Sequence, residues 1–269
     1  MKYFKEFIGE TLGTFVLILF GCGSVAVLIL FDEYNSIFQI ALVWGIIISL
    51  AIYLTRHLSN AHFNPAVTIA MVLSKRMSPR LMPLYFIAQF LGAFLGAAAV
   101  YALFSPSIAA YESAHEIVRG SYESTLTARM FGEFYTKIGG TAVVSMPLAM
   151  FAEMLGTGIL IMMVFALTEG CNVGRPSDSI APLFIGLTVS SIVCLIAPLT
   201  QAGLNPARDF GPRMVAWIAG WGDAAFPDNS GGFFWVYILS PIIGAVIATC
   251  FFIWVIEPQM KKKNQSVNE

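Results

Sequence analysis

Asn64-Pro65-Ala66 and Asn205-Pro206-Ala207 each open a short apolar run in a chain otherwise built for a membrane. Each triplet reads as a helix start: Asn is a favoured N-cap, and Pro is tolerated at the first helical position, where its missing N–H would have no partner anyway. The run after Asn64 lasts about ten residues before Ser74-Lys75-Arg76, half of the roughly 20 apolar residues that a bilayer demands. Short helices with polar starts persist inside a membrane protein only where they line a cavity or bury against protein. One such helix in each half of the chain points to a pore.

The composition agrees. The chain has 269 residues, 57% hydrophobic and 12% charged, with a mean hydropathy of +0.76. That charge content is about half the roughly 25% of a soluble domain, so the class is a polytopic α-helical membrane protein. The net charge of −1 gives no sign of a nucleic-acid partner. Cys22, Cys171, Cys194 and Cys250 show no CxxC or Cys/His spacing and read as packing thiols. His57, His62 and His115 lack partners at ligand spacing, so no metal and no cofactor is expected. His62, two residues before Asn64, is expected to bond locally. No GxSxG, HExxH or paired-carboxylate motif argues for an enzyme. Met1-Lys2-Tyr3-Phe4-Lys5 runs into an apolar stretch without a small-residue cleavage site, which reads as a first span rather than a removable signal.

Apolar runs long enough to cross fall at about 7–31, 38–56, 80–104, 146–168, 180–200 and 233–256. The two triplet segments, about 64–74 and 205–217, sit after the second and fifth runs. The polar segment 105–145, with Glu112, His115, Glu116, Arg119, Glu123, Arg129, Glu133 and Lys137, reads as a connecting loop with a little helix of its own. Lys2, Lys5, Lys75, Arg76, Arg80, Arg175 and Lys261-Lys262-Lys263 all fall on one side of a six-span topology. The positive-inside bias makes that side, and both termini, cytoplasmic. The chain also repeats itself: Glu10-Thr-Leu-Gly-Thr14 returns as Glu153-Met-Leu-Gly-Thr157, and Gly92-Ala93 as Gly244-Ala245. Three spans per copy force the second copy upside down, with the functional site near the midplane. The domain expectation is one channel unit over 1–269: a first repeat about 1–104, the connector about 105–145, a second repeat about 146–256 and a cytoplasmic tail 257–269.

The two half-helices then enter from opposite faces and meet by their N-termini, each carrying roughly half a positive charge, which repels cations including hydronium. The side-chain oxygens of Asn64 and Asn205 are expected to cap, leaving each NH₂ free to donate to a passing oxygen. Arg208 sits in the first turn of the second half-helix, where a cation is locally unfavourable, and intramembrane Arg marks an ion or solute path. The bland alternative pairs it with Asp209. Glu10 and Glu153, buried in apolar spans, read as acceptors for backbone N–H groups of the irregular stretches 57–63 and 198–204, rather than as a proton relay. Carbonyls of those stretches would form a ladder for solute hydroxyls or water. Gly9/Gly13 and Gly92/Gly96 read as close-packing pairs.

With these residues in hand, the chain resembles the aquaporin superfamily, and within it the aquaglyceroporin (glycerol facilitator) branch. The resemblance rests on Glu10-Thr-Leu-Gly-Thr14, Ala61-His62-Phe63-Asn64-Pro65-Ala66-Val67-Thr68, Val118-Arg119-Gly120-Ser121, Pro198-Leu199-Thr200 and Asn205-Pro206-Ala207-Arg208-Asp209-Phe210-Gly211-Pro212. Asp209 and the long segment 105–145 look like the glycerol branch. The resemblance implies a homotetramer in the plasma (bacterial inner) membrane, with one pore per subunit passing linear polyols such as glycerol, other small neutral solutes such as urea, and some water. It also implies Arg208 as the selectivity-filter arginine, with Trp44 as the filter aromatic. Two positions depart from the glycerol facilitators: Ala202 stands where they typically carry Phe, and Val193 where they carry Gly. The quartet Trp44, Val193, Ala202 and Arg208 looks more like that of the nodulin-like intrinsic proteins of plants. The resulting expectation is a passive channel for glycerol and other small neutral solutes that excludes protons and ions. The alternatives are a mainly water-conducting channel and a coupled secondary transporter of a small polyol.

Overall fold

Among the described residues six helices are long and apolar enough to cross a membrane: Tyr3–Phe31, Ile37–Thr55, Pro79–Ala114, Met146–Thr168, Ala181–Thr200 and Phe234–Gln265. The computed structural model describes residues 2–135, 143–227 and 231–268; Lys137, assigned above to the polar connector, lies outside them. In chain order the helices are α1 (Lys2–Phe31), α2 (Ile37–Thr55), the half-length α3 (Pro65–Leu73), α4 (Met82–Ala114) and a single turn α5 (Thr125–Ala128). Then come α6 (Met146–Thr168), α7 (Ala181–Thr200), the second half-length helix α8 (Pro206–Ala216), α9 (Ser240–Phe251) and α10 (Glu257–Asn268). Wide turns at Phe234–Leu239 and Phe252–Ile256 join α9 to its flanks, so the last span continues into α10. No strand occurs among the described residues.

Three boundaries differ from the sequence expectation. The third span runs on to Ala114 through Pro106, ten residues past the end expected near 104. The last span does not end near 256: Glu257-Pro258 and the lysines that follow end the apolar stretch but not the helix. Pro198-Leu199-Thr200 belong to α7, and the irregular stretch before the second triplet is only 201–204.

The packing is that of two inverted repeats. α1 runs along α4 as α6 runs along α9, and α1 packs on α2 as α6 packs on α7. α2 and α7 meet across the pseudo-two-fold. Each half-helix crosses to the other repeat, α3 against α9 and α8 against α4. Backbones approach closely where glycine removes the side chain. A Cβ on Gly92 would stand 2.4 Å from the Thr11 carbonyl oxygen, and one on Gly244 would stand 2.2 Å from that of Met154. Gly9 and Gly13, read from sequence as a helix-packing pair, serve a loop instead. They face Ser59 and the Phe63 ring, leaving room for the re-entrant loop. Crossed this way, the repeats bring both half-helix starts to the centre of the bundle.

Candidate functional site: a two-vestibule pore

Two cavities penetrate the bundle and share a wall. The larger, about 430 Å³, opens beside Arg56 and Asp178 on the face that carries the termini and runs past Asn60–Asn64 and Ala202–Asn205. The smaller, about 320 Å³, opens on the opposite face. Trp44, Val193 and Arg208 line both, so the constriction lies among them.

At the inner end of the larger cavity the half-helices meet. Asn64 Oδ1 accepts from the Ala66 N–H at 2.8 Å, and Asn205 Oδ1 accepts from Ala207 and Arg208 at 3.0 and 3.2 Å. Against the sequence expectation of two free NH₂ groups, neither amide is wholly free. Asn64 Nδ2 donates to the Leu204 carbonyl at 2.9 Å, and Asn205 Nδ2 donates to the Phe63 carbonyl at 2.8 Å. This reciprocal pair ties each cap to the loop of the other repeat and leaves one N–H per amide for the lumen.

The loops preceding the caps are held in the left-handed region without glycine. Ala61 and Phe63 have φ of 54° and 53°; their repeat equivalents Ala202 and Leu204 have 64° and 56°. Such backbone persists only where its surroundings over-determine it. Glu10 does so in one repeat: it accepts from the His62 and Phe63 N–H groups at 3.0 and 2.8 Å, Ser59 Oγ at 2.8 Å and Gln89 Nε2 at 2.8 Å. Glu153 does so in the other, accepting from the Gly203 and Leu204 N–H groups at 2.9 and 2.7 Å and from Thr200 Oγ1 at 2.6 Å. With those N–H groups taken by the two carboxylates, the loops line the cavity through Ala61, His62, Ala202 and Gly203, and no described residue donates to the carbonyls of these four. His62 bonds locally, its Nδ1 3.1 Å from Thr68 Oγ1 and its ring 5.1 Å from that of Tyr85.

At the constriction Arg208 pairs with Glu133, not with its neighbour Asp209. Its Nη1 donates to the Phe131 carbonyl at 3.0 Å and lies 3.7 Å from Cys22 Sγ, and its guanidinium carbon stands 4.5 Å from the centre of the Trp44 ring. The indole has room because position 21 is glycine: a Cβ there would come within 2.2 Å of Trp44. Val193 supplies a further apolar wall there, while Ala202 lines the larger cavity only; both are buried. Asp209 turns away from the lumen. It accepts from Arg213 Nε and Nη2 at 3.0 and 2.6 Å and from the Glu133 N–H at 2.8 Å. Arg213 Nη2 also donates to the Glu133 carbonyl at 2.7 Å, fixing that backbone from both sides.

The structure therefore gathers Trp44, Val193, Ala202, Arg208 and both Asn triplets around one path, with Glu10, Glu153, His62 and Asp209 behind it. Sequence reasoning missed Glu133, Arg213, Gly21 and Gln89. Glu133 was one acid among several in a polar segment, and Gly21 carries no pattern. Asp209 and Arg213, four apart on a helix, were a readable pair, as was Gln89, a lone amide in an apolar span.

The family described as Major intrinsic protein matches residues 1–252. The propanediol uptake facilitator of Citrobacter freundii is 41% identical over 253 residues, covering 93% of this chain and 91% of that protein. The glycerol uptake facilitator protein of Escherichia coli is 41% identical over 244 residues, covering 89% and 84%. Among solved structures, the aquaglyceroporin from Plasmodium falciparum aligns with a TM-score of 0.82 at 29% identity, covering 96% of this chain and 98% of that one.

Proposed function

We propose, from the premise that the chain belongs to the major intrinsic protein family, that it is a passive multi-pass membrane channel for glycerol and other small neutral solutes, with some water. It is not an enzyme. The observation that supports this best is the meeting of two half-helix N-termini at reciprocally bonded Asn64 and Asn205, on a path narrowed by Trp44 and Arg208.

In this reading each geometric element has a task. The opposed N-termini set a positive potential at the midplane that penalises hydronium and metal cations. Each Asn offers its remaining N–H to a solute oxygen, fixing the donor–acceptor direction and interrupting a proton wire. Carbonyls of Ala61, His62, Ala202 and Gly203 accept from solute hydroxyls, while the apolar walls face the carbon skeleton. Trp44 and Arg208 select at the mouth, and Val193 and Ala202 set its width. Glu10, Glu153, His62 and Asp209 hold the irregular backbone.

The reading further takes the chain as one channel unit with the repeat bounds given above, in a bacterial inner membrane, with both termini cytoplasmic and four copies in a homotetramer. Labelling from either side of a cysteine introduced into the tail tests the orientation, where label reaching it only from outside contradicts it. Native mass spectrometry in detergent tests the tetramer, which a persistent monomer contradicts.

Stopped-flow light scattering on proteoliposomes, with water and glycerol gradients compared for wild type and Ala202→Phe, tests the function. Fast glycerol flux above protein-free vesicles is expected, changed in the variant by the restored aromatic wall. Ala202, which lacks an aromatic ring to grip a carbon skeleton, and Val193, which narrows the opposite wall, leave a second reading, a mainly water-conducting pore; fast water with background glycerol flux would select it.

A further inference from the structure

Glu133 stands where a neutral-solute pore has no evident use for an acid. It is 1% exposed, ion-paired to an Arg208 that is 3% exposed, and is the one carboxylate among the described residues lining the outer vestibule. A second guanidinium, Arg129, lines the same wall. The N-terminus of α8, with Arg208 in its first turn, adds positive partial charge. Two guanidinium groups and a helix start lining one vestibule make a ready anion trap. An anion lodged there would obstruct the path of a polyol.

We propose that Glu133 is a specificity-determining residue: its carboxylate cancels the charge of Arg208, so the constriction takes uncharged hydroxylated solutes and holds no anion. The inference rests on the channel reading above. The fold isolates this role from a structural one. The Glu133 backbone is fixed by Asp209 and Arg213 through its own N–H and carbonyl, independently of its side chain. Glu133→Gln keeps one oxygen that accepts from Arg208, removes the charge and turns the other oxygen into an NH₂ donor.

The test compares full-length wild type, Glu133→Gln and Glu133→Asp in proteoliposomes, with glycerol permeability measured in potassium gluconate and in potassium nitrate at equal ionic strength. Wild type and Glu133→Asp are expected to conduct equally in both salts. Glu133→Gln is expected to lose glycerol flux several-fold in nitrate and to recover on return to gluconate. Loss of flux in both salts alike, or no effect of nitrate on the variant, would overturn the proposal; so would an equal block of wild type. Thermal unfolding in detergent reads the same anion without any flux: nitrate should stabilise Glu133→Gln selectively, and equal shifts for all three proteins would refute the proposal. A wild type that passes no glycerol, beside a selective nitrate shift in the variant, would sink the channel reading while leaving the anion trap standing.

Discussion

Glu10→Gln keeps the volume of the side chain and removes its ability to accept at every lone pair. The carboxylate takes four donors, two of them backbone N–H groups of the left-handed loop. An amide turns its NH₂ toward at least one of them, and each buried donor left unpaired costs about 1–3 kcal/mol. A lower unfolding temperature in detergent is therefore expected, along with reduced flux; unchanged values for both would contradict the scaffold role. Gly21→Ala acts on the opposite wall. Its Cβ would press into the Trp44 ring at 2.2 Å, and overpacking of this kind costs about 1–3 kcal/mol when it is absorbed in place. If the indole instead moves toward Arg208, glycerol permeability falls several-fold in the stopped-flow assay, and water less. Residues with a charge in an apolar setting were legible from sequence, as Glu10, Glu153 and Arg208 show. Glu133 was not, because nothing in a polar loop reveals that its carboxylate folds back on a helix start more than seventy positions later, and Gly21 was not, because its role is an absent side chain.

At the scale of elements, the half-helices were readable because Asn-Pro is both a cap and a stop, and the shortness of α3 was readable from Lys75 and Arg76, which follow soon after Leu73. Helix ends beyond the apolar core were not. Hydropathy marks where lipid ends, whereas backbone hydrogen bonds carry α4 on to Ala114 and the last span into α10. One consequence lies at the termini face. Arg76, after α3, pairs with Glu169 at the end of α6, lies 3.6 Å from Glu257 at the start of α10, and stacks 4.5 Å from the Phe165 ring centre. Burial pushes the Glu169 carboxyl up, but hydrogen bonds from Arg76 and the Cys171 N–H, with the Arg76 charge, outweigh it and hold the group below its usual range. A carboxyl with a depressed folded-state pKa stabilises above its unfolded value, about 4.3, and loses that contribution as pH falls through the folded value. Wild type should therefore lose thermal stability on acidification below about pH 4 more steeply than Glu169→Gln. Parallel profiles for the two proteins would remove Arg76–Glu169 from the account.

Across the whole molecule, the inverted repeat makes a fixed path rather than an alternating one. Each half-helix packs against the third span of the other repeat, and the Asn64–Leu204 and Asn205–Phe63 bonds lock the two loops together at the midplane. A transporter would have to break that pair in every cycle. The acidic residues that could have coupled protons, Glu10 and Glu153, instead each hold two backbone N–H groups of a loop together with side-chain donors. The repeat, the span count and the meeting of the half-helices were all legible from sequence, because they follow from spacing and parity. What the sequence did not carry is how the long polar segment returns to the pore and supplies Phe131 and Glu133 to the Arg208 guanidinium. The most direct test of a fixed, uncoupled path is glycerol flux into proteoliposomes loaded with a pH-sensitive dye, measured across rising glycerol concentration with and without an imposed proton gradient. Flux proportional to concentration, indifferent to the gradient and accompanied by no change in internal pH is expected. Saturating flux that follows the gradient, or glycerol entry that moves protons with it, would contradict the channel.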